Sequence, residues 1–167
     1  MKYLILYFVF LSSNVFGQNL SIKEMESYLG NNKNDVITII KNKGFKSVTS
    51  GEIKNAGDEM ATQLTKVTGK KLKAENLSLN SYSLTLIVDE KGLIRAIQIG
   101  TKRLKGDEVT NRIQEIEKAG FVKNSDREGS DGRSNIKDYE KKDNICSLAI
   151  YFNGGYTNTM YSKNLLN

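Results

Sequence analysis

The chain has 167 residues, 38% hydrophobic and 26% charged, with one cysteine and no histidine, proline or tryptophan. A chain without histidine cannot hold a Ser-His-Asp or Cys-His catalytic pair or a histidine-ligated metal, and this length is typical of one domain with its own core. The formal charge of +6 favours acidic partners, but the lysines are scattered, so we expect a solvated surface and no nucleic-acid groove.

Residues 1–17 are predicted to form a secretory signal peptide. Lys2 supplies the positive start, and the apolar run from Tyr3 to Leu11 is shorter than the stretch of about 20 residues that spans a bilayer as a helix. Cleavage near Gly17 would leave a mature chain of residues 18–167. We therefore expect a periplasmic or secreted protein that has no transmembrane anchor after cleavage.

The first part of the mature chain shows two helix signals. Ser21 and Glu24 have the spacing of a capping box, which predicts a short helix that ends at Gly30. A second helix is predicted over residues 35–43. Gly44–Phe45 then suits a Schellman stop, in which glycine takes a positive φ and the next apolar residue folds back onto the helix.

A predicted hairpin follows a segment of undecided structure. Within residues 46–80, Met60, Leu64 and Val67 have helical spacing, but the intervening threonines favour a strand, so both interpretations stay open. Residues 82–99 alternate in polarity on either side of a turn at residues 89–92, which predicts two antiparallel strands.

The second part of the chain repeats this order. A helix is predicted from Asp107 to Ala119, with Glu108 and Arg112 paired on its exposed side. Gly120–Phe121 repeats the stop. A hairpin is predicted over residues 145–161, and residues 138–142 are a candidate additional strand.

Together these signals predict a single α+β domain over residues 18–167. It would contain two weakly similar halves, residues 33–100 and 107–162, each with a helix and an antiparallel hairpin, and the helices would pack on one face of an antiparallel sheet. The layout resembles small exported proteins built from tandem helix-and-sheet units, including proteinaceous enzyme inhibitors and outer-membrane assembly accessories.

Two further features are candidate sites of chemistry. Cys146 lies in a strand-like run without histidine to activate it, so a small buried hydrophobe is expected. Residues 124–135 begin like a calcium loop, but Asn135 replaces the bidentate glutamate, which favours a polar connection and leaves calcium binding open. No metal or cofactor is therefore predicted.

Paired carboxylates indicate an alternative, enzymatic function. Asp and Glu alone can hydrolyse a glycosidic bond, so a histidine-free hydrolase of envelope polysaccharide is the second hypothesis. The candidate pairs are Asp89 with Glu90 in a turn and Glu115 with Glu117 on a helix. Solvation explains both pairs, and a chain without tryptophan has few aromatic groups to line a sugar cleft.

The predicted binding surface is aromatic and comprises Tyr151, Tyr156, Met160 and Tyr161 around the second hairpin. An Asn153–Gly154 turn would pair Tyr151 with Tyr156, and a Gly154–Gly155 turn would place Tyr151 opposite Asn158. Tyrosine gives large contact area at modest entropy cost, although it is also a common strand residue on covered faces.

From these features we expect a non-enzymatic exported binding module of the inhibitor, immunity or cell-envelope accessory type. Its partner would be another protein of the cell envelope or extracellular space.

Overall fold

The computed structural model describes residues 20–101, 107–130, 132–152 and 155–165. These residues form four helices and one antiparallel sheet of eight strands, so the predicted α+β class is confirmed. The helices are α1 (Ile22–Tyr28), α2 (Lys33–Asn42), α3 (Glu52–Thr68) and α4 (Glu108–Lys118). The strands are β1 (Lys46–Ser47), β2 (Leu72–Leu79), β3 (Tyr82–Asp89), β4 (Ile94–Thr101), β5 (Val122–Glu128), β6 (Ser134–Lys141), β7 (Asn144–Tyr151) and β8 (Tyr156–Ser162). The predicted signal peptide lies outside the described residues.

The strand order places β4, from the middle of the chain, beside the last strand, β8, in the middle of the sheet. The order is β1-β2-β3-β4-β8-β7-β6-β5, so β4 pairs with β8 and the edges are β1 and β5. In the central pair, Ala96 lies opposite Tyr161, Gln98 opposite Thr159 and Gly100 opposite Thr157. No helix of the described chain is long and apolar enough to cross a membrane.

The predicted capping box and the two Gly-Phe stops are confirmed. Ser21 Oγ accepts from the Glu24 amide at 3.2 Å, and the Glu24 carboxylate accepts from the Ser21 amide at 2.9 Å, which completes the capping box. Gly44 has φ +97° and Gly120 has φ +89°. After each glycine the phenylalanine amide donates back into the helix, from Phe45 to Ile40 and from Phe121 to Ile116.

Helices cover both faces of the sheet, which corrects the prediction of one-sided packing. The inner face carries α1, α2 and α4, whose apolar side chains form the main core with alternate strand residues such as Leu84, Leu86 and Cys146. On the outer face, α3 packs with Leu72 and Ile87 in a smaller core. Residues next to each other along a strand point to opposite faces, so Leu86 and Ile87 belong to different layers.

The segment of undecided structure forms α3, because its small residues can sit close to the sheet. Gly57 and Ala61 are its buried positions. A Cβ on Gly57 would lie 2.0 Å from the side-chain oxygen of Asn76 in β2, closer than any real contact. The threonines that favoured a strand are used differently, since Thr65 Oγ1 accepts from the amide of Leu72 as β2 begins.

Arg112 is buried, which corrects its predicted exposed pairing with Glu108. Only 3% of the residue is accessible. Its guanidinium donates to Glu115 at 2.6 Å, to the carbonyl of Leu20 at 2.8 Å and to the amide oxygen of Asn158 in β8 at 3.0 Å. One side chain therefore joins α4 to the segment before α1 and to the sheet.

Replacing Arg112 is expected to destabilise the whole domain. Arg112→Leu leaves the Asn158 oxygen and the Leu20 carbonyl buried without this donor, so we expect the free energy of unfolding to fall by about 3 kcal/mol. Urea unfolding followed by circular dichroism measures the loss. Lys118→Leu, which removes an exposed cation from the same helix, should change little, and equal losses in the two variants would contradict the assigned role.

Gly57→Ala is expected to destabilise α3 packing although alanine is the better helix former. The added Cβ must displace Asn76, so we expect a loss of about 1–3 kcal/mol rather than the usual gain. A double-mutant cycle with Asn76→Ala tests the cause, because Gly57→Ala should become neutral or stabilising once Asn76 is shortened. Additive effects in that cycle, measured by urea unfolding, would contradict the contact.

Candidate functional site

The structure separates the four predicted binding residues into two layers. Tyr156 and Met160 lie in the core of the inner face, with 1% and 0% of their surface accessible. Tyr151 and Tyr161 are partly exposed on the outer face, where neighbouring residues pair as Tyr151 with Ser134 and Tyr161 with Ile145. Tyr156 and Met160 are therefore core residues, and Tyr151 and Tyr161 remain candidates for binding.

Neither predicted hairpin register is formed. Tyr156 pairs with Ile150, and the amide of Tyr151 donates to the carbonyl of Gly155 at 3.2 Å. This longer connection shifts the strand so that Tyr156 shares the face of Ile150. The alternation along β8 was a usable signal, since a stripe of threonine and tyrosine at 157, 159 and 161 points away from the core residues between them.

The uncovered part of the outer face forms a continuous surface on β6, β7 and β8, which we call the outer platform. Its members are partly exposed and come from directly opposed positions of neighbouring strands. They are Ile136, Asp138, Ser147, Ala149, Tyr151, Thr157, Thr159 and Tyr161. Helix α3 covers the same face on β2 and β3, and of the platform residues Tyr161 alone joins its core within the described chain.

A row of polar residues crosses the outer face through the platform. Its members are opposed in six neighbouring strands and comprise Asn76, Thr85, Gln98, Thr159, Ser147 and Asp138. Thr85 donates to Asn76 at 2.9 Å, Gln98 donates to Thr159 at 3.1 Å, and Ser147 donates to Asp138 at 2.6 Å. Side-chain hydrogen bonds thus join adjacent strands in pairs and fix the orientation of the side chains on this face.

Asp138 supplies the charge in this row, and neighbouring donors hold it ionised. Its carboxylate also accepts from Arg127 Nε at 2.8 Å and from Ser125 Oγ at 3.2 Å, both in β5. Burial acts to raise the pKa of Asp138, but the hydrogen bonds from Ser147 and Arg127 and the charge of Arg127 outweigh it and lower the pKa. The carboxylate is therefore satisfied by its own chain.

Tyr161 presents a protonated hydroxyl at one end of the platform. Burial, followed by the nearby charge of Asp138, raises the pKa of this phenol above its ordinary value, although a hydrogen bond with Ser147 acts the other way. Its ring packs beside the small core that contains Ile87 and Ala96. Tyr161 therefore belongs partly to that core and partly to the exposed surface.

Cys146 lies on the inner face and is fully buried, as the sequence predicted. Its thiol accepts from Asn158 Nδ2 at 3.1 Å, and burial raises its pKa to about 11. The protonated thiol is a poor nucleophile at neutral pH.

A thiol-specific disulfide reagent at pH 8 is expected to leave Cys146 unmodified in the folded protein and to modify one thiol per chain in urea. Ala149→Cys places a thiol on the outer platform and should react in the folded state. Rapid reaction of native Cys146, followed by mass spectrometry, would contradict its placement.

Three of the four predicted carboxylates are engaged in ion pairs, including Glu115, which Arg112 binds at 2.6 Å. Asp89 and Glu90 line a cleft of about 680 Å³, but Arg95 binds Asp89 at 2.6 Å and Lys71 approaches Glu90 at 3.5 Å. Burial acts to raise the pKa of Asp89, and hydrogen bonds from the Leu93 amide and Arg95 lower it below its usual value. A glycosidase acid requires a raised pKa, which Asp89 lacks.

The segment that resembles the start of a calcium loop forms an edge strand instead of a polar connection. Residues of β5 are all exposed, and Asn124 and Asp126 bind Glu140 and Lys137 of β6. The register shift between Lys123 and Ser125 breaks the regular alternation, so that Asn124 binds Glu140 and Asp126 binds Lys137, which lie on opposite faces of β6, and these oxygens do not converge. Within the described residues, no group of three or more Cys, Asp or Glu is placed to hold a metal ion.

Comparisons of the chain with models of protein families, with curated proteins and with solved structures gave no match.

Proposed function

We propose that this chain is an exported, non-enzymatic binding module that holds another protein of the cell envelope or extracellular space on its outer platform. The observation that carries the proposal is the partly exposed outer platform, which has Tyr151 at one end and Tyr161, at the border of the core under α3, at the other. Tyrosine is enriched at binding surfaces because a rigid ring gives large contact area and its hydroxyl can still bond.

The middle of the platform is uncharged and mixed in polarity. Ala149 and Ile136 are opposed across β7 and β6, and Thr157 and Thr159 run beside them. The nearby charges of Asp138 and Glu140 are compensated by Arg127 and Lys163. Such a surface favours a protein partner over nucleic acid, because phosphate binding requires concentrated positive charge.

The proposed compartment rests on the sequence. Lys2, the apolar run that follows it and the small residue Gly17 have the order of a cleaved signal peptide. Inhibitors, immunity proteins and envelope accessories are the exported classes that act through a binding surface without a catalytic group.

We also propose that the domain consists of two related halves, residues 33–100 and 107–162. The strand order supports this, because β1-β2-β3-β4 meets β8-β7-β6-β5. The polar row supports it as well, because Asn76 pairs with Thr85 in the first half as Asp138 pairs with Ser147 in the second, 62 residues further along.

A pull-down from envelope extract of the producing cells tests the function. With residues 18–167 as bait, we expect at least one specific protein to be retained, and Ala149→Arg should abolish retention because it places an unpaired cation in the middle of the platform. Ile39→Arg is the matched control, since Ile39 is 46% exposed on α2 and lies away from the platform.

Tyr151→Ala combined with Tyr161→Ala should weaken the same retention by about tenfold or more, because tyrosines at interfaces often contribute 1–2 kcal/mol each, about 1.4 kcal/mol per tenfold. All variants are first checked for a native circular dichroism spectrum. Equal retention by Ala149→Arg, Ile39→Arg and the unmodified bait would place the binding surface elsewhere and overturn the proposal.

A further inference from the structure

We propose that the outer platform is a docking slot for a single α-helix of the partner protein, which would pack there as α3 packs on the first half. The contact face of that helix would be uncharged, with glycine or alanine where it crosses the polar row. This inference rests on the proposed function, because it specifies what occupies the same surface.

The packing of α3 gives the template for the slot. Gly57 passes directly over Asn76, where any Cβ would clash with the side-chain oxygen at 2.0 Å. Thr85 holds Asn76 in place with a 2.9 Å hydrogen bond. Beneath the helix, Thr85 keeps 4% of its surface accessible and Ile87 keeps none. A helix can therefore cover this polar pair when it has a small residue at the crossing point.

The second half carries an equivalent polar pair at the equivalent place, and α3 does not cover it. Asp138 and Ser147 occupy the polar row on β6 and β7, as Asn76 and Thr85 do on β2 and β3. Aspartate has the shape of asparagine, and serine donates to it at 2.6 Å as Thr85 donates to Asn76. Ser147 and the adjacent Ala149 remain partly exposed within the described structure.

The connection between the strands explains why the slot is open. In the first half α3 lies between β1 and β2, whereas β5 and β6 are joined by a short turn at residues 129–133. The Gly129 amide donates to the Ser134 carbonyl at 2.8 Å, which closes that turn and leaves no room for a helix. Within the described chain, one of the two similar sheet surfaces is thus covered by a helix, α3.

The dimensions of the platform fit one helix better than a globular surface. Tyr161 lies opposite Ile145, six residues along β7 from Tyr151, so the two tyrosines are separated by about 20 Å at about 3.4 Å per residue. A helix of about 13 residues spans that length, and its diameter of about 10 Å covers two to three strands. A typical globular interface buries about 800 Å² on each partner, whereas the platform measures about 20 Å along the strands and about 14 Å across three of them.

The charges of the slot set the chemistry of the helix. Arg127 and Ser125 already satisfy Asp138, so a charged residue facing the row would be desolvated without a new partner. Hydroxyl groups and small apolar side chains line the rest of the slot. The fitting occupant is therefore an amphipathic helix whose contact face carries Gly, Ala and other uncharged residues.

The experiment uses this chain's own α3 as the probe. A synthetic peptide of residues 52–68, held helical by a hydrocarbon link between the exposed positions Asp58 and Thr62, is titrated into the mature protein. Methyl-labelled NMR spectra report where it binds. We expect saturable shifts at Ala149, Thr157 and Thr159, and at least about tenfold weaker binding by the Gly57→Leu peptide.

Protein variants locate the site independently. Ala149→Arg should abolish the shifts, and Ile39→Arg should leave them unchanged. The Gly57→Leu peptide needs no change to the protein, so its comparison stands even where a variant folds poorly. Shifts confined to Ala74 and Ile87, where the peptide would only replace native α3, overturn the inference, as does the absence of saturable shifts up to about 1 mM peptide.

The outcomes separate the helix slot from the proposed function. Retention of an envelope protein that Ala149→Arg abolishes, combined with no response to the peptide, overturns the helix slot and leaves the binding module standing. Loss of both results overturns both.

Discussion

The arrangement of this domain depends on the hydrogen bonds that the buried Arg112 guanidinium donates. The guanidinium lies where α4, the segment before α1 and β8 meet, and its donors are divided among Glu115, the Leu20 carbonyl and Asn158. Burying a cation is costly unless each donor finds an acceptor, so the three elements must be in place together. Asn158 extends the network to Cys146, which links the helix layer to the sheet.

Closing the inner face in this way leaves the outer face as the side on which a partner is proposed to bind. The helices of the inner face share one core with β6, β7 and β8, while on the other side of these strands Tyr161 alone joins the core under α3 within the described residues. A sheet packed on one face is held rigid, and the hydrogen bonds of the polar row fix the side chains on the other. A partner would therefore meet a preorganised surface and lose little free energy in ordering it.

The sequence predicted those elements that are specified by neighbouring residues. The capping box, the two Gly-Phe stops and the turn before Leu93 depend on contacts within a few positions, and each was found from its spacing. The elements that it missed are decided by distant contacts. Helix α3 depends on Gly57 meeting Asn76, and burial of Arg112 depends on acceptors 46 and 92 residues away. Two of the four predicted binding residues, Tyr156 and Met160, are core residues, because the faces they occupy depend on a hairpin register that the turn residues left ambiguous.

The exchange of asparagine for aspartate in the polar row follows from the same physics. Under α3, a carboxylate at position 76 would be buried beside a helix, and the two residues of β1, Lys46 and Ser47, pair with Ser78 and Leu77 rather than with position 76. The longer strand β5 places Arg127 and Ser125 against Asp138, so a charge is tolerated there. A polar side chain at this position of the row is thus satisfied in two ways. In the second half an edge strand donates hydrogen bonds to a carboxylate, and in the first half a helix covers an uncharged amide. The first of these two ways leaves the sheet face accessible to another protein.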